Sequence, residues 1–226
     1  MSHFSVAVIS ESPGDVERLL EPFYEGVDAD SPYAEFEENE EGDFDESQNA
    51  HGFWLNPNAK WDWYEIGGRF SGMLRLLPNR EGKCGERSWT NVDQEIPSDC
   101  CDQALIKDID LSMDNSAYDR AERFWEVVVE EMPLNPDENP RDFDSWYKKE
   151  YYIEQFKTKE EYAKHVASFS VWSLITSDGT WHENGSMGWW GMNDATYDSR
   201  MSFKEFLDKQ LKENPDKWIT IVDCHI

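Results

Sequence analysis

"KWITIVDCHI", residues 217–226, is apolar and β-branched through Ile219, Thr220, Ile221 and Val222 before it turns polar at Asp223 and His225. Side chains of that kind suit a pleated, buried surface, so the stretch reads as a final strand. "FSVAVIS" (4–10) has the same character and closes on the turn material "ESPG", which makes it a buried first strand. Between the two lie segments whose period is helical. Strands at both ends with helices between them predict an α+β fold with a mixed or mostly antiparallel sheet. Its first and last strands come from the two termini, and helices pack on it. At 226 residues the chain reads as a single domain, 1–226, large enough to bury a sizeable core.

Working inward, "DVERLLEPF" (15–23) reads as a short helix with Asp15 at its positive end. "HGFWLNP" (51–57) and "FSGMLRLLP" (70–78) read as strands, and 79–98 as loop. "DQALIKDI" and "YDRAERFWEVVVEEM" (118–132) read as helices, the second with Ala121, Phe124, Trp125, Val128 and Met132 near one face. After the proline-punctuated 132–140, "DFDSWYKKEYYIEQF" (142–156) continues the helical pattern. "TKEEYAKHVAS" (158–168) opens on Thr158 with Glu161 three residues later, the pattern of a capping box. "FSVWSLITSDGTWHENG" (169–185) reads as a hairpin turning at "SDGT", and "SFKEFLDKQLKE" (202–213) as an amphipathic helix opened by Ser202.

The net charge of −27 opposes binding to nucleic acid or anionic lipid, because both demand Lys and Arg. It favours basic partners, cationic ligands or metal ions. The acid is concentrated: residues 25–50 hold eleven carboxylates, and no Lys or Arg occurs between Arg18 and Lys60. Like charges at that density repel one another, so 25–50 reads as an acidic surface loop or arm within the domain. Glu35, Glu37, Glu38, Glu40, Glu41, Asp43 and Asp45 are its candidate partner-binding residues. No apolar run is long enough for a membrane span, and the N-terminal stretch lacks the basic flank of a signal peptide. The spacing of Cys84, Cys100, Cys101 and Cys224 fits neither a zinc ribbon nor a CxxC pair, so reduced, cytoplasmic thiols are expected.

Three clusters could carry chemistry. "WDWYEIGGRF" (61–70) places Trp61, Trp63 and Tyr64 beside two glycines and Arg69. The glycines allow positive φ or close approach of a ligand, and Arg69 can stack or fork onto a phosphate or carboxylate. The competing reading makes the aromatics core, Asp62 a cap and the glycines a helix end. "GSMGWWGM" (185–192) frames Trp189 and Trp190 with glycine, able to stack a planar group or to plug a sheet end. Together the two stretches suggest one pocket for a nucleotide-like ligand. In the last strand Asp223 and His225 share a face, and His3 joins them if the terminal strands are neighbours. Two His and an Asp suffice for a divalent-metal site or an acid/base pair. His51, His165 and His182 read as incidental. No Gly-x-Ser-x-Gly elbow or HExxH occurs, so no cofactor is assigned and binding is favoured over turnover.

"MSHFSVAVI", "NPNAKWDWYEIGGRFSG" (56–72), "MGWWGM" (187–192) and "TIVDCHI" resemble a family of uncharacterised proteins from phages and prophages. The resemblance touches about a quarter of the residues and implies a setting rather than an activity: a phage-encoded accessory protein of the host cytoplasm. Two functions follow as expectations. The first is binding that blunts a host defence factor, by acidic mimicry of nucleic acid or by holding a nucleotide-like ligand. The second is a metal-assisted phosphoester hydrolase using His3, Asp223 and His225.

Overall fold

The computed structural model describes residues 2–86, 88, 90–91, 95–188 and 192–226. Its strands and helices are β1 (His3–Ser10), α1 (Val16–Leu20), β2 (Glu35–Asp45), β3 (Ala50–Leu55), β4 (Trp63–Ile66) and β5 (Leu74–Arg75). They continue as β6 (Cys100–Cys101), β7 (Gln103–Leu105), α2 (Asn115–Val128), α3 (Lys149–Phe156) and α4 (Lys159–Ala167). The chain closes with β8 (Ser173–Ile175), β9 (Trp181–Glu183), α5 (Tyr197–Glu213) and β10 (Trp218–His225). The α+β architecture and the terminal strands expected from the sequence are present.

The main sheet has the order β4-β10-β1-β8-β9, with β7 also on β10. β1 and β10 run antiparallel in continuous register from His3 opposite His225 to Ser10 opposite Trp218. β1 and β8 are parallel, so the sheet is mixed. β4 and β7 share one edge of β10: β7 pairs with Trp218–Thr220 and β4 with Val222–His225. The handover falls at Ile221, whose N–H donates to the Asp102 carbonyl while its own carbonyl accepts from Gly67. Two chain segments therefore leave the sheet at one point.

Both faces of the sheet are covered, as expected for strands apolar on both sides. Ala7, Ile9, Ile219 and Ile221 pack with Phe203, Leu207 and Leu211, which recur every four residues along α5. Phe4, Val6, Val8, Val222 and Cys224 pack on Val16, Leu19 and Leu20 of α1 and on Trp61. A satellite cluster of Trp125, Val129, Tyr152 and Phe156 ties α2, α3 and α4 together.

Several local readings are corrected. "DQALIKDI" is not a helix: Gln103–Leu105 extends β10's edge and a 3-10 turn, Ile106–Asp108, follows. Gln103–Leu105 pairs with Trp218–Thr220 and Ala104 is fully buried there, so the sheet edge overrides helix propensity. α5 begins at Tyr197, before Ser202, because Thr196 accepts from Ser199 N–H and the Ser199 hydroxyl accepts from Thr196 N–H. α3 starts only at Lys149; the chain before it makes a 3-10 turn at Pro140–Phe143 capped by Asn139. Met132 lies beyond the end of α2 and is exposed rather than packed on its inner face. The acidic stretch lies on the surface, but its centre is regular: β2 pairs with β3, and residues 39–42 bulge where Glu38 and Asp43 both face Gly52.

None of the four cysteines forms a disulfide. Burial pushes the Cys224 thiol well above its usual range, and the Cys101 thiol up to about 12, which leaves both as packing groups. Among the described residues no helix is long and apolar enough to cross a membrane.

Candidate functional site

β1 and β10 bring together the residues at the two chain ends. Because His3 faces His225 and Ser5 faces Asp223 across the ladder, these four side chains stand on one face of the sheet. β4 extends both rows, with Trp63 opposite His225 and Glu65 opposite Asp223. His3 Nδ1 lies 2.9 Å from Asp223 Oδ1, and His225 Nδ1 lies 2.6 Å from Asp62 Oδ1. An ionised carboxylate only accepts, so both rings donate from Nδ1 and keep Nε2 for other uses. The two rings meet edge to face at 5.0 Å, and Trp63 stacks on His225 at 5.1 Å.

The second oxygen of Asp223 accepts from the backbone N–H of Arg69 at 2.9 Å. That contact explains the first glycine motif. Gly67 (φ 74°) and Gly68 (φ 51°) turn the chain off the sheet in the left-handed region that favours glycine. A Cβ on Gly68 would sit 2.5 Å from the Asp223 Cβ, and one on Gly67 2.5 Å from Asp102 Oδ2. The following residues enclose Asp102, which is fully buried. It accepts from Gly72 N–H at 2.6 Å, Gly85 N–H at 2.7 Å and the Ser71 hydroxyl at 2.9 Å. Residues 67–72 thus form an anion-binding nest, and the anions held are two of the chain's own carboxylates.

The structure divides the aromatics of 61–70. Trp61 is buried on the α1 side, donates its indole N–H to the Leu20 carbonyl at 3.1 Å, and meets Tyr64 edge to face at 5.1 Å. Trp63 stands on the opposite face with the histidines, because it alternates with its β4 neighbour Tyr64, whereas Trp61 precedes the strand. Trp61 and Tyr64 do line a surface hollow of about 460 Å³ with Tyr24, and the arginine beside it is Arg18. The Arg69 side chain is exposed and makes no hydrogen bond or ion pair among the described residues. Trp189 and Trp190 lie outside the described residues.

As candidate metal ligands, His3, Asp223 and His225 do converge. Asp223, however, is placed as the orienting partner of His3 rather than facing both rings. Among the described residues no three His, Cys, Asp or Glu side chains group to hold an ion. Sequence reading missed Asp62 as the partner of His225 and Asp102 as the centre of the nest. The adjacent glycines were a signal that something approaches closely, but not what.

The acidic hairpin forms the second candidate surface. Glu35, Glu37, Glu38, Glu40, Glu41 and Asp43 are exposed, Asp45 is half-buried, and none pairs with a Lys or Arg among the described residues. Phe36 against Trp54 and Phe44 against His51 hold the strands together in spite of the repulsion. Hydrogen bonds from Ser47, and then from the Trp54 indole, lower Asp45 to about 2, so it stays anionic in all ordinary buffers. Two phenyl rings, Phe44 and Phe53, stand exposed on the same hairpin.

No family model, curated protein or solved structure matches the chain.

Proposed function

We propose that this protein is a binding protein whose acidic hairpin occupies a basic, nucleic-acid-binding surface of a host factor in the cytoplasm of the infected cell. The observation that carries the reading is the row of carboxylates along β2 that meet no Lys or Arg among the described residues. A strand advances about 3.3–3.4 Å per residue, close to the axial spacing of phosphates along one strand of DNA. Because side chains alternate between faces, each face of this acidic strand presents charge at roughly half that density, and the two faces together approach it. Phe44 and Phe53 give such an interface apolar contacts that solubility alone does not require. The resemblance to phage proteins supplies the setting.

Native mass spectrometry of the protein isolated from its host tests this. A basic protein partner is expected whose complex dissociates as salt rises, since exposed charge attraction is screened. Changing Glu35, Glu37, Glu38, Glu40 and Glu41 together to Gln should weaken that complex by at least about a hundredfold at low salt, a little over 2.7 kcal/mol. A partner held equally well by this variant rejects the hairpin as the binding surface.

A second reading, the metal-assisted phosphoester hydrolase, draws on the convergence of His3 and His225 from opposite ends of the chain. It requires the wild-type protein to cleave a model phosphodiester with Mn²⁺ and His225→Ala to lose that activity. A wild-type protein without turnover leaves binding as the function.

A further inference from the structure

Among the described residues, Arg200 differs from every other basic side chain. The other Lys and Arg residues are either paired with a carboxylate or exposed. Arg200 is partly buried on α5 and has no carboxylate partner, in a chain with 48 Asp and Glu. One Nη donates to Gln155 Oε1 at 2.6 Å, the Tyr151 side chain is a second polar neighbour, and the guanidinium lies 4.8 Å from the centre of the Phe156 ring. Its Nε is buried with no hydrogen-bond partner. A desolvated guanidinium left this way is costly unless something else completes its coordination.

What adjoins it is a cavity of about 320 Å³ between α3, α4 and α5, within the size range of small-molecule pockets. Phe156, Tyr197 and Met201 supply apolar walls, and His165, Lys164 and Lys204 stand with Arg200 around them. The two acids at the same cavity, Glu161 and Asp208, are neutralised locally by Lys164 and Lys204. Lys164 also pairs with Glu160 at 2.6 Å, which leaves Arg200 as the cation at the cavity with no carboxylate partner among the described residues. His165 registers its surroundings: burial first, then the charges of Arg200 and Lys204, hold its imidazole down at about 4.

We propose that this cavity binds a small organic anion with an apolar body, its carboxylate seated on Arg200 and its hydrocarbon against Phe156, Tyr197 and Met201. Guanidinium forks match carboxylates, and an apolar wall strengthens that pairing by excluding water. The cavity lies apart from the acidic hairpin and does not depend on its function, while His165 and Arg200 also border a hollow of about 260 Å³ lined by His3, Ser5 and Phe70.

Calorimetric titration with 2-naphthoate and with its neutral isostere 2-naphthamide tests the assignment. Naphthoate is expected to bind with Kd below about 1 mM and naphthamide at least about tenfold more weakly. Arg200→Gln should abolish that preference. If this variant does not fold, NMR titration of His165 in the wild-type protein decides the matter, because a bound anion offsets the charge of Arg200 and raises the imidazole pKa. Equal binding of the two probes, no binding of naphthoate, or an unmoved His165 overturns the proposal.

Discussion

Asp102→Ala is expected to lower the unfolding free energy by about 4 kcal/mol, a large share of the roughly 5–15 kcal/mol available to a domain. The carboxylate is fully buried and is the acceptor for Gly72 N–H, Gly85 N–H and the Ser71 hydroxyl. Truncation strands the two backbone donors, each costing about 1–3 kcal/mol, and leaves a cavity in place of the carboxyl group. The Ser71 hydroxyl can rotate away and adds less. Asp102→Asn keeps the shape and one accepting oxygen but turns an NH₂ toward a donor. It should cost about 2 kcal/mol, between wild type and Ala. Urea denaturation at neutral pH measures all three proteins. An Ala variant within 1 kcal/mol of wild type, on the scale of a single ordinary hydrogen bond, removes Asp102 from the centre of the nest.

Gly68→Ala should be nearly as damaging, by about 3 kcal/mol, through a different mechanism. At φ 51° an added Cβ is strained by about 1 kcal/mol. It would also sit 2.5 Å from the Cβ of Asp223, a residue of the central strand that cannot swing aside. Overpacking of that kind costs about 1–3 kcal/mol more. Gly179 provides the control. It too has positive φ, 86°, but the nearest atom to an added Cβ is Leu19 Cδ2 at 3.9 Å. Gly179→Ala should therefore show the strain alone. In thermal unfolding the Gly68 variant is expected to melt about 10 °C below wild type and well below the Gly179 variant. Equal losses at the two positions would mean that Asp223 and the glycine turn are not in contact.

The sheet was legible because its evidence is local. β-branched runs at 4–10 and 217–226 favour buried strands, and "SDGT" fixes its own hairpin with Asp178 accepting from Thr180 N–H. α5 was legible as a helix from Phe203, Leu207 and Leu211, though its start was misplaced because Thr196 and Ser199 cap it a turn and a half before Ser202. β7 was not legible. Three residues carry too short a period to declare themselves, and their conformation is imposed by Trp218–Thr220 more than a hundred positions away. The same limit governs the site. That Asp223 and His225 share a face follows from strand geometry; that His3 meets them required the β1–β10 pairing as a premise. The partners that give the cluster its shape, Asp62 for His225 and Arg69 N–H for Asp223, depend on where β4 docks. Arg200 illustrates the opposite case. Nothing in its neighbourhood along the chain singles it out, and its character comes from what three helices fail to place beside it.

The register that sets His3 opposite His225 also makes the two middle strands of the sheet nearly the most distant partners along the chain. Ser2 and Ile226 exchange backbone hydrogen bonds at 2.9 and 3.0 Å, closing the polypeptide into a ring of more than two hundred residues. Among the described residues β4 and β7 join the main sheet only through β10, so neither takes its place in that sheet before β10 does. The β2–β3 ribbon and the α2–α4 cluster, by contrast, are built from contacts near in sequence and can form early. Topologies dominated by distant pairings search slowly, although lengthening the closed loop adds only about 0.6 kcal/mol per doubling. The acidic ribbon and the helical lobe are therefore expected to form before the centre of the sheet. Refolding is expected to be limited by the pairing of β1 with β10, and a short peptide bridge joining these two strands should convert that encounter into a local turn and speed it.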